Sequence, residues 1–326
     1  MIEPFRRARL LLMPADVTSP STRAEAEQDQ AATAEADAVA ERLAHLTDRL
    51  AALDSLAPGP ATNHLFGAVV RTVTTTPPAA ARRVVAHPAV RARAERLRSL
   101  GARGESALEA HWAERIAGAP EPPAELARFP YLGNYRELIG LELALLRRHL
   151  TAGAPASVVV LGCGPLPLTA TGYAAGLGAR TVAVDRDASA VAAARAFLAT
   201  LPAPADPGAP GLPEVGGPAA GGRPEVAPAP GGVVVHDDAE RVPLHGHDLV
   251  VLAALVGTTT AAKAGLIRSL AARMRPGALL LARSAHGLRA LLYPEIDPGT
   301  MDGFEVLDVE HPGGDVINSM IVARRV

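Results

Sequence analysis

The segment Val158-Val159-Val160-Leu161-Gly162-Cys163-Gly164-Pro165-Leu166-Pro167-Leu168-Thr169 joins a β-branched run to a helical stretch. Two glycines at such a junction let the backbone turn tightly and approach a ligand closely. Asp185 follows at the end of the next apolar run, 23 residues after Gly162. A carboxylate there can accept hydrogen bonds from both hydroxyls of a ribose, which is the working core of an adenosine site. Pro167 stands where a dinucleotide fingerprint has its third glycine. No pyrophosphate then needs a seat, which favours S-adenosylmethionine (SAM) over NAD. Asp237 and Asp238, just after the third strand, are placed to meet the adenine edge. The bland alternative for the glycine pair is a structural turn, and the aspartates at two strand ends weigh against it. Cys163 lies inside the loop and reads as a small residue packed beneath the ligand rather than as a reactive thiol.

Other residues with chemical capacity come in pairs. Glu105 and Glu109 are four apart and share one face of an expected helix. Tyr131 and Tyr135 are also four apart, on or beside the next helix. Arg283 and His286 follow a strand whose end should lie at the ligand edge of a sheet. Arg283 can hold a carboxylate of donor or product there, and His286 can order the loop through hydrogen bonds. On residues alone, the glutamates read first as a solvated helix face, the usual fate of such pairs, while the tyrosines read equally as core packing and His286 equally as structural. His64 and His111 stand far apart with no ligand cluster around them, so no metal site is expected.

These residues need two kinds of scaffold. Val39, Leu43, Leu46, Leu50 and Leu53 recur at helical spacing. Pro58-Gly59-Pro60 should stop that helix. Leu65 to Val73 is a second apolar stretch, and helical sequence from Val84 to Ile116 should break near Gly101 and Gly104. Pro120 to Pro123 reads as a loop. Tyr135 to Leu150 reads as a helix with Leu138, Leu141, Leu145 and Leu146 on its apolar side. After residue 150 the pattern alternates. Strands are expected at Ser157–Leu161, Thr181–Val184, Val233–Val235, Leu249–Leu252 and Leu279–Leu281, with a helix over Ala188–Leu201. Phe304–Val309 and Val316–Ala323 should close the sheet as antiparallel strands. The fold class is therefore α/β: a Rossmann-like SAM-binding domain over 151–326 preceded by an all-helical lid over 36–150. Residues 1–35 are expected to be poorly ordered. So is the insertion 201–232, where nine Pro and eight Gly fall among 32 residues.

The chain has 326 residues, 48% hydrophobic but only 3% aromatic, so the core must rest on Ala, Val and Leu. A net charge of −2 gives no electrostatic case for nucleic acid or an anionic membrane. With one cysteine no internal disulfide can form, and a reducing, cytoplasmic location is expected. The short apolar run Leu10–Met13 is too short for a signal-peptide core, and no stretch reaches the roughly 18 apolar residues of a membrane span. Lys263 is the only lysine, which reads as a compositional preference for arginine.

Several longer segments carry a resemblance. They are Leu56-Ala57-Pro58-Gly59-Pro60 with Asn63-His64-Leu65-Phe66, then Phe129-Pro130-Tyr131-Leu132-Gly133-Asn134-Tyr135, then the Gly162–Thr169 loop. Leu252-Ala253-Ala254-Leu255-Val256-Gly257, Arg283-Ser284-Ala285-His286-Gly287 with Tyr293-Pro294, and Asp315-Val316-Ile317-Asn318-Ser319 complete the set. From about residue 40 to the end, the insertion excepted, the chain resembles the nicotianamine synthase family. The resemblance implies a helical lid over a Rossmann-like domain and use of SAM as donor of its 3-amino-3-carboxypropyl arm, leaving 5′-methylthioadenosine. It implies a reaction chamber lined by Glu109 or Glu105 and by Tyr131. It also implies donor contacts from Gly162, Gly164, Pro165, Leu166, Asp185, Asp237, Asp238 and Ala253, and substrate contacts from Tyr135, Asn134, Arg283, His286 and Tyr293. Leu132 and Gly133 depart from the family's motif and bear on the acceptor pocket.

The chemistry follows from its needs. An α-amine is mostly protonated near neutral pH, so a base must take its proton and the nitrogen must be held in line with the donor's γ-carbon. A sulfonium is already a good leaving group, so neither metal nor covalent intermediate is required. The product is nicotianamine or a related metallophore. The alternative is a single transfer to another amino acid, histidine or glutamate, in opine-type metallophore synthesis. An ordinary methyltransferase is disfavoured by Pro165-Leu166-Pro167, and a non-catalytic SAM-binding module would keep the glutamates and Tyr131 away from the ligand.

Overall fold

The computed structural model describes residues 20–150, 153–201 and 232–326. Most of the expected insertion lies outside the described residues, as do residues 1–19. Seven helices come first: α1 (Pro20–Ala51), α2 (Pro60–Thr75), α3 (Pro78–Ala86), α4 (Pro88–Arg91), α5 (Ala94–Ala117), α6 (Pro122–Leu126) and α7 (Leu132–Arg147). Residues 20–35, expected to be poorly ordered, belong to α1. Their Ala, Glu, Gln and Arg are among the strongest helix formers. Proline opens α2, α3, α4 and α6, at the first helical position where its missing N–H costs nothing. Pro122 thereby makes a short helix out of the end of the expected 120–123 loop.

α5 runs unbroken through Gly101 and Gly104, against expectation. At Gly104 a Cβ would come within 2.4 Å of the Phe66 ring, so the glycine admits α2 against α5 instead of ending the helix. Leu43, Leu46, Leu50, Leu65, Val69 and Leu97 bury the helices against one another. Leu141, expected on the buried side of α7, is exposed, while Leu138, Leu145 and Leu146 are buried.

The remaining elements form one seven-stranded sheet in the order β3-β2-β1-β4-β5-β7-β6. The strands are β1 (Ser157–Leu161), β2 (Arg180–Asp185), β3 (Val233–His236), β4 (Leu249–Leu252), β5 (Leu279–Ser284), β6 (Phe304–Glu310) and β7 (Ser319–Arg325). The first five are parallel, and β7 pairs antiparallel with both β5 and β6. β7 starts at Ser319 rather than Val316. Connecting helices are α8 (Leu168–Leu177), α9 (Ala188–Leu198) and α10 (Thr260–Arg273). β1 is buried at all five residues because both sheet faces are covered. Val158 and Val160 pack towards Leu138, Leu146, Tyr173 and Val191. Val159 and Leu161 pack towards Leu266, Ile267 and Leu270.

β2 and β4 flank β1, so the chain reverses direction across the sheet at the β1/β4 boundary. Ligands of open α/β sheets bind at the carboxyl ends of strands beside such a reversal. Two apolar clusters press the helices onto this edge. In one, Trp112, Ile116 and Phe129 meet Leu166, Leu168 and Phe197. In the other, Leu43, Leu65 and Leu97 meet Leu288, Leu291 and Leu292 of the turn after β5. Each fully buried Leu or Phe in such a contact contributes about 1.5–3 kcal/mol.

Candidate active site

The β1–α8 loop is the floor of the site. Gly162 (φ 79°) and Gly164 (φ 64°) both occupy the left-handed region that favours glycine. Asp185 ties this loop to the β2 end. Its Oδ2 accepts the Gly164 N–H at 2.9 Å and its Oδ1 the Asp187 N–H at 2.9 Å. Each oxygen keeps a second lone pair with which to receive a ribose hydroxyl. Asp237 and Asp238 follow β3 as expected, but part of their carboxylate capacity holds the turn: Asp237 Oδ1 accepts from the Asp238 N–H and Asp238 Oδ1 from the Glu240 N–H. Leu166 is not a lining residue. It is 1% exposed and packs with Trp112 and Phe129. Pro165 is buried beside it. Ala253 donates its N–H to the Leu161 carbonyl, which places it on the wall beside Gly162.

α5 brings its glutamates over this floor. A Cβ on Gly164 would lie 2.4 Å from Glu109 Oε2, so the carboxylate rests directly on the loop. Glu109 is buried and accepts a short hydrogen bond from the Tyr135 hydroxyl of α7. One turn earlier, Glu105 accepts from the Tyr293 hydroxyl at 2.7 Å. Glu105, Tyr135 and Tyr293 are enclosed by protein yet keep part of their surface accessible. Burial first, then the negative charge of Glu105, pushes Glu109 up to about 8, against the Tyr135 hydrogen bond. Burial likewise raises Glu105, opposed by Tyr293 and by the charge of Arg283. Tyr135 and Tyr293 are held well above the usual phenol range by burial and then by these carboxylates, so both remain donors.

A second carboxylate cluster lies beside this one. Arg283 donates from Nε to Glu142 Oε1 at 2.6 Å, and from Nη2 to Glu142 Oε2 at 3.0 Å and Thr169 Oγ1 at 3.1 Å. Tyr173 donates to Glu142 at 3.2 Å. Burial alone would lower Arg283, but the adjacent Glu142 outweighs it and keeps the guanidinium charged. Arg283 is therefore not a free carboxylate clamp as expected. Its fork is occupied by Glu142, and only Nη1 is left to face another group. The sequence carried one signal for this pair: Glu142 interrupts the apolar run Leu138–Leu146.

Other candidates are displaced from the centre. Tyr131 stands at the start of α7, 41% exposed, with its ring tilted against Phe129. It hydrogen-bonds neither Glu105 nor Glu109, though burial and then the charge of Glu105 raise its hydroxyl; Tyr135 makes the direct bond to Glu109. Asn134 uses its amide on the Asp315 carbonyl, 2.9 Å away, and so tethers the segment before β7. His286 is exposed and stacks on His311 at 4.4 Å. Leu132 packs into the core and Gly133 sits exposed, so neither departure reaches the glutamates. Cys163 is buried, and burial, then the charges of Asp185 and Glu109, push its thiol up to about 12. His64 and His111 are exposed. Among the described residues no group of three or more His, Cys, Asp or Glu is placed to hold a metal, and no helix is long and apolar enough to cross a membrane.

The arrangement thus offers an adenosine-type loop, a carboxylate directly above it with an elevated proton affinity, a second carboxylate one turn away, and two tyrosine donors. It can bind a cationic donor and take a proton from a nucleophile. The model of the family described as "Nicotianamine synthase protein" matches residues 32–202 and 234–326. Nicotianamine synthase 9 of Hordeum vulgare is 38% identical over 293 residues, covering 89% of this chain and 80% of its own. Nicotianamine synthase 1 of Oryza sativa subsp. japonica is 38% identical over 299 residues, covering 91% and 84%. Among solved structures, a glutamate-to-glutamine mutant of MtNAS in complex with S-adenosylmethionine superposes with a TM-score of 0.69 at 19% identity, over 88% of this chain and 97% of that one. MtNAS in complex with MTA and tNA gives 0.67 at 19% identity, over 89% and 97%. At that identity the structures establish a shared Rossmann-like α/β fold with helices.

Proposed function

The chain belongs to the nicotianamine synthase family, and we propose that it transfers 3-amino-3-carboxypropyl groups from SAM to an α-amine, making nicotianamine. The observation that carries this reading is Glu109, set against Gly164 of the adenosine loop and oriented by Tyr135. SAM is the donor. Its adenosine lies on the Gly162–Gly164 turn, with the ribose at Asp185. The acceptor nitrogen attacks the γ-carbon of the aminocarboxypropyl arm, the carbon–sulfur bond breaks, and its electron pair leaves on sulfur as neutral 5′-methylthioadenosine. The acceptor's proton passes to Glu109. Arg283 acts on this carboxylate pair only through space, its fork being taken by Glu142; the sulfonium of a bound donor adds positive charge, which lowers Glu109 from its ligand-free value and readies it as a base. Glu105 and Tyr293 line the same space, and Arg283 Nη1 is the remaining cationic donor for a carboxylate.

The test is incubation of purified protein with SAM alone, followed by mass spectrometry. Methylthioadenosine and nicotianamine together are the expected products. Turnover that appears only when histidine or glutamate is added would replace this reading with single transfer to another amino acid. S-adenosylhomocysteine would make the protein a methyltransferase.

A further inference from the structure

Among 32 lysines and arginines the chain keeps one lysine, and it is among the most buried charged side chains described. Lys263 is 1% exposed, in the first turn of α10. Its Nζ donates to the Ala253 carbonyl at 3.0 Å and the Ala254 carbonyl at 2.7 Å. Both carbonyls belong to the segment leaving β4, on the ligand edge of the sheet. Two neighbouring acceptors converge there on one nitrogen. A tetrahedral nitrogen can serve both, whereas a planar guanidinium spreads its donors over a wider fork and is bulkier. In a chain that otherwise uses arginine, this site demands the other geometry. Burial, then the charge of Arg283, push the ammonium down to about 7. A neutral amine still has two N–H groups, one for each carbonyl, so the attachment survives either protonation state.

The pinned segment leads to the donor loop. Val256 donates its N–H to the same Ala253 carbonyl. A Cβ on Gly162 would lie 2.1 Å from Val256 Cγ2 and 3.5 Å from Ala253 Cβ, so this segment forms the wall against the turn. A Cβ on Gly257 (φ 75°) would lie 3.1 Å from the backbone nitrogen of Lys263, so the glycine lets the segment pass close to the start of α10. We propose that Lys263 is a positioning residue for donor binding, holding the β4–α10 segment so that Val256 packs on the Gly162 turn that receives the adenosine part of SAM. The inference rests on the reading that this turn is the donor loop.

The experiment compares the full-length protein with Lys263→Met, Lys263→Arg and Val256→Ala. It reads SAM and methylthioadenosine affinity by calorimetry, folding by circular dichroism, and kcat and KM for SAM. Losing two ordinary hydrogen bonds, as a neutral amine makes, corresponds to about 10- to 100-fold. Lys263→Met is expected to weaken SAM and methylthioadenosine alike by that factor, with kcat at saturating SAM within about threefold of the parent. Lys263→Arg should not restore affinity. Val256→Ala should produce a smaller defect of the same kind, and combined with Lys263→Met it should add less than its single effect. Unchanged affinity in Lys263→Met overturns the proposal. So does a fall in kcat with KM unchanged, or loss of fold in both lysine variants, which would make Lys263 a general stabiliser. The catalytic reading fails separately: wild-type protein that binds SAM but yields no methylthioadenosine sinks the transferase and leaves the affinity comparison intact. Absence of SAM binding by the wild type sinks both.

Discussion

Two glutamate clusters lie side by side at the ligand edge, and they are built on opposite terms. Glu142 on α7 is fully buried and matched by a bidentate guanidinium, itself also bonded to Thr169, and by a tyrosine. Glu105 and Glu109 on α5 have only tyrosine donors and each other. The first cluster closes its own charge, so it serves as framework. The second leaves negative charge for a cation to complete; burial first, and at Glu109 then the charge of Glu105, raises its proton affinity, with Arg283 opposing from a distance. A buried carboxylate is thus structural or reactive according to whether the protein itself supplies the counter-charge.

The strongest way to break this contrast is to exchange the roles of the two clusters by mutation. Glu109→Gln should cut methylthioadenosine formation by about 10²- to 10⁴-fold, the span of a lost general base, while calorimetric SAM binding persists. Glu142→Ala should instead strand Arg283 in the interior and lower stability by about 3–5 kcal/mol, read by chemical denaturation. If Glu142→Ala unfolds no more easily than the parent, the framework role fails.

Titration sharpens the difference. Glu109 is raised in the folded protein, so the free enzyme holds its proton below about 8 and releases it above. kcat/KM for SAM should therefore rise with pH through that region. Glu105→Gln removes the like charge and should move the rising limb to lower pH. Stability runs the other way. A raised carboxyl stabilises the ligand-free fold at low pH, and that contribution is lost as pH rises through about 8. Saturating SAM should reduce the loss, as melting temperatures at pH 6 and 9 would reveal. The smallest effects separate the tyrosines. Tyr135→Phe should lower kcat by about 10-fold or more, since it removes a hydrogen bond to a charged group. Tyr131→Phe should stay within about threefold by the same measure, because its hydroxyl makes no such bond. Equal losses would mean that the exposed Tyr131 swings onto the glutamates during turnover.

The strands β1 and β4 were legible residue for residue, because a buried parallel strand is a short apolar run with glycine or polar ends. The glycine turn after β1 was legible too, since its two glycines and Asp185, which accepts the Gly164 N–H, lie close in sequence. Other readings failed where local rules met distant neighbours. Gly104 looked like a helix break, yet it is the place where the Phe66 ring fits. Tyr131 and Tyr135 share a spacing, and spacing alone cannot say which faces Glu109. Asn134 and Arg283 looked free to bind a ligand but are engaged by Asp315 and Glu142.

By itself, then, the sequence determined the order of elements, the glycine turn after β1 and the four-residue spacing of Glu105 and Glu109 on one helix, since helix period, strand burial and glycine conformation are written over a few consecutive residues. The tertiary structure alone decided which charges are met. Tyr293 reaches Glu105 across 188 residues and Arg283 reaches Glu142 across 141. Such pairings depend on how two packed layers are docked, and the docking is set by the summed fit of apolar faces, which no local spacing encodes.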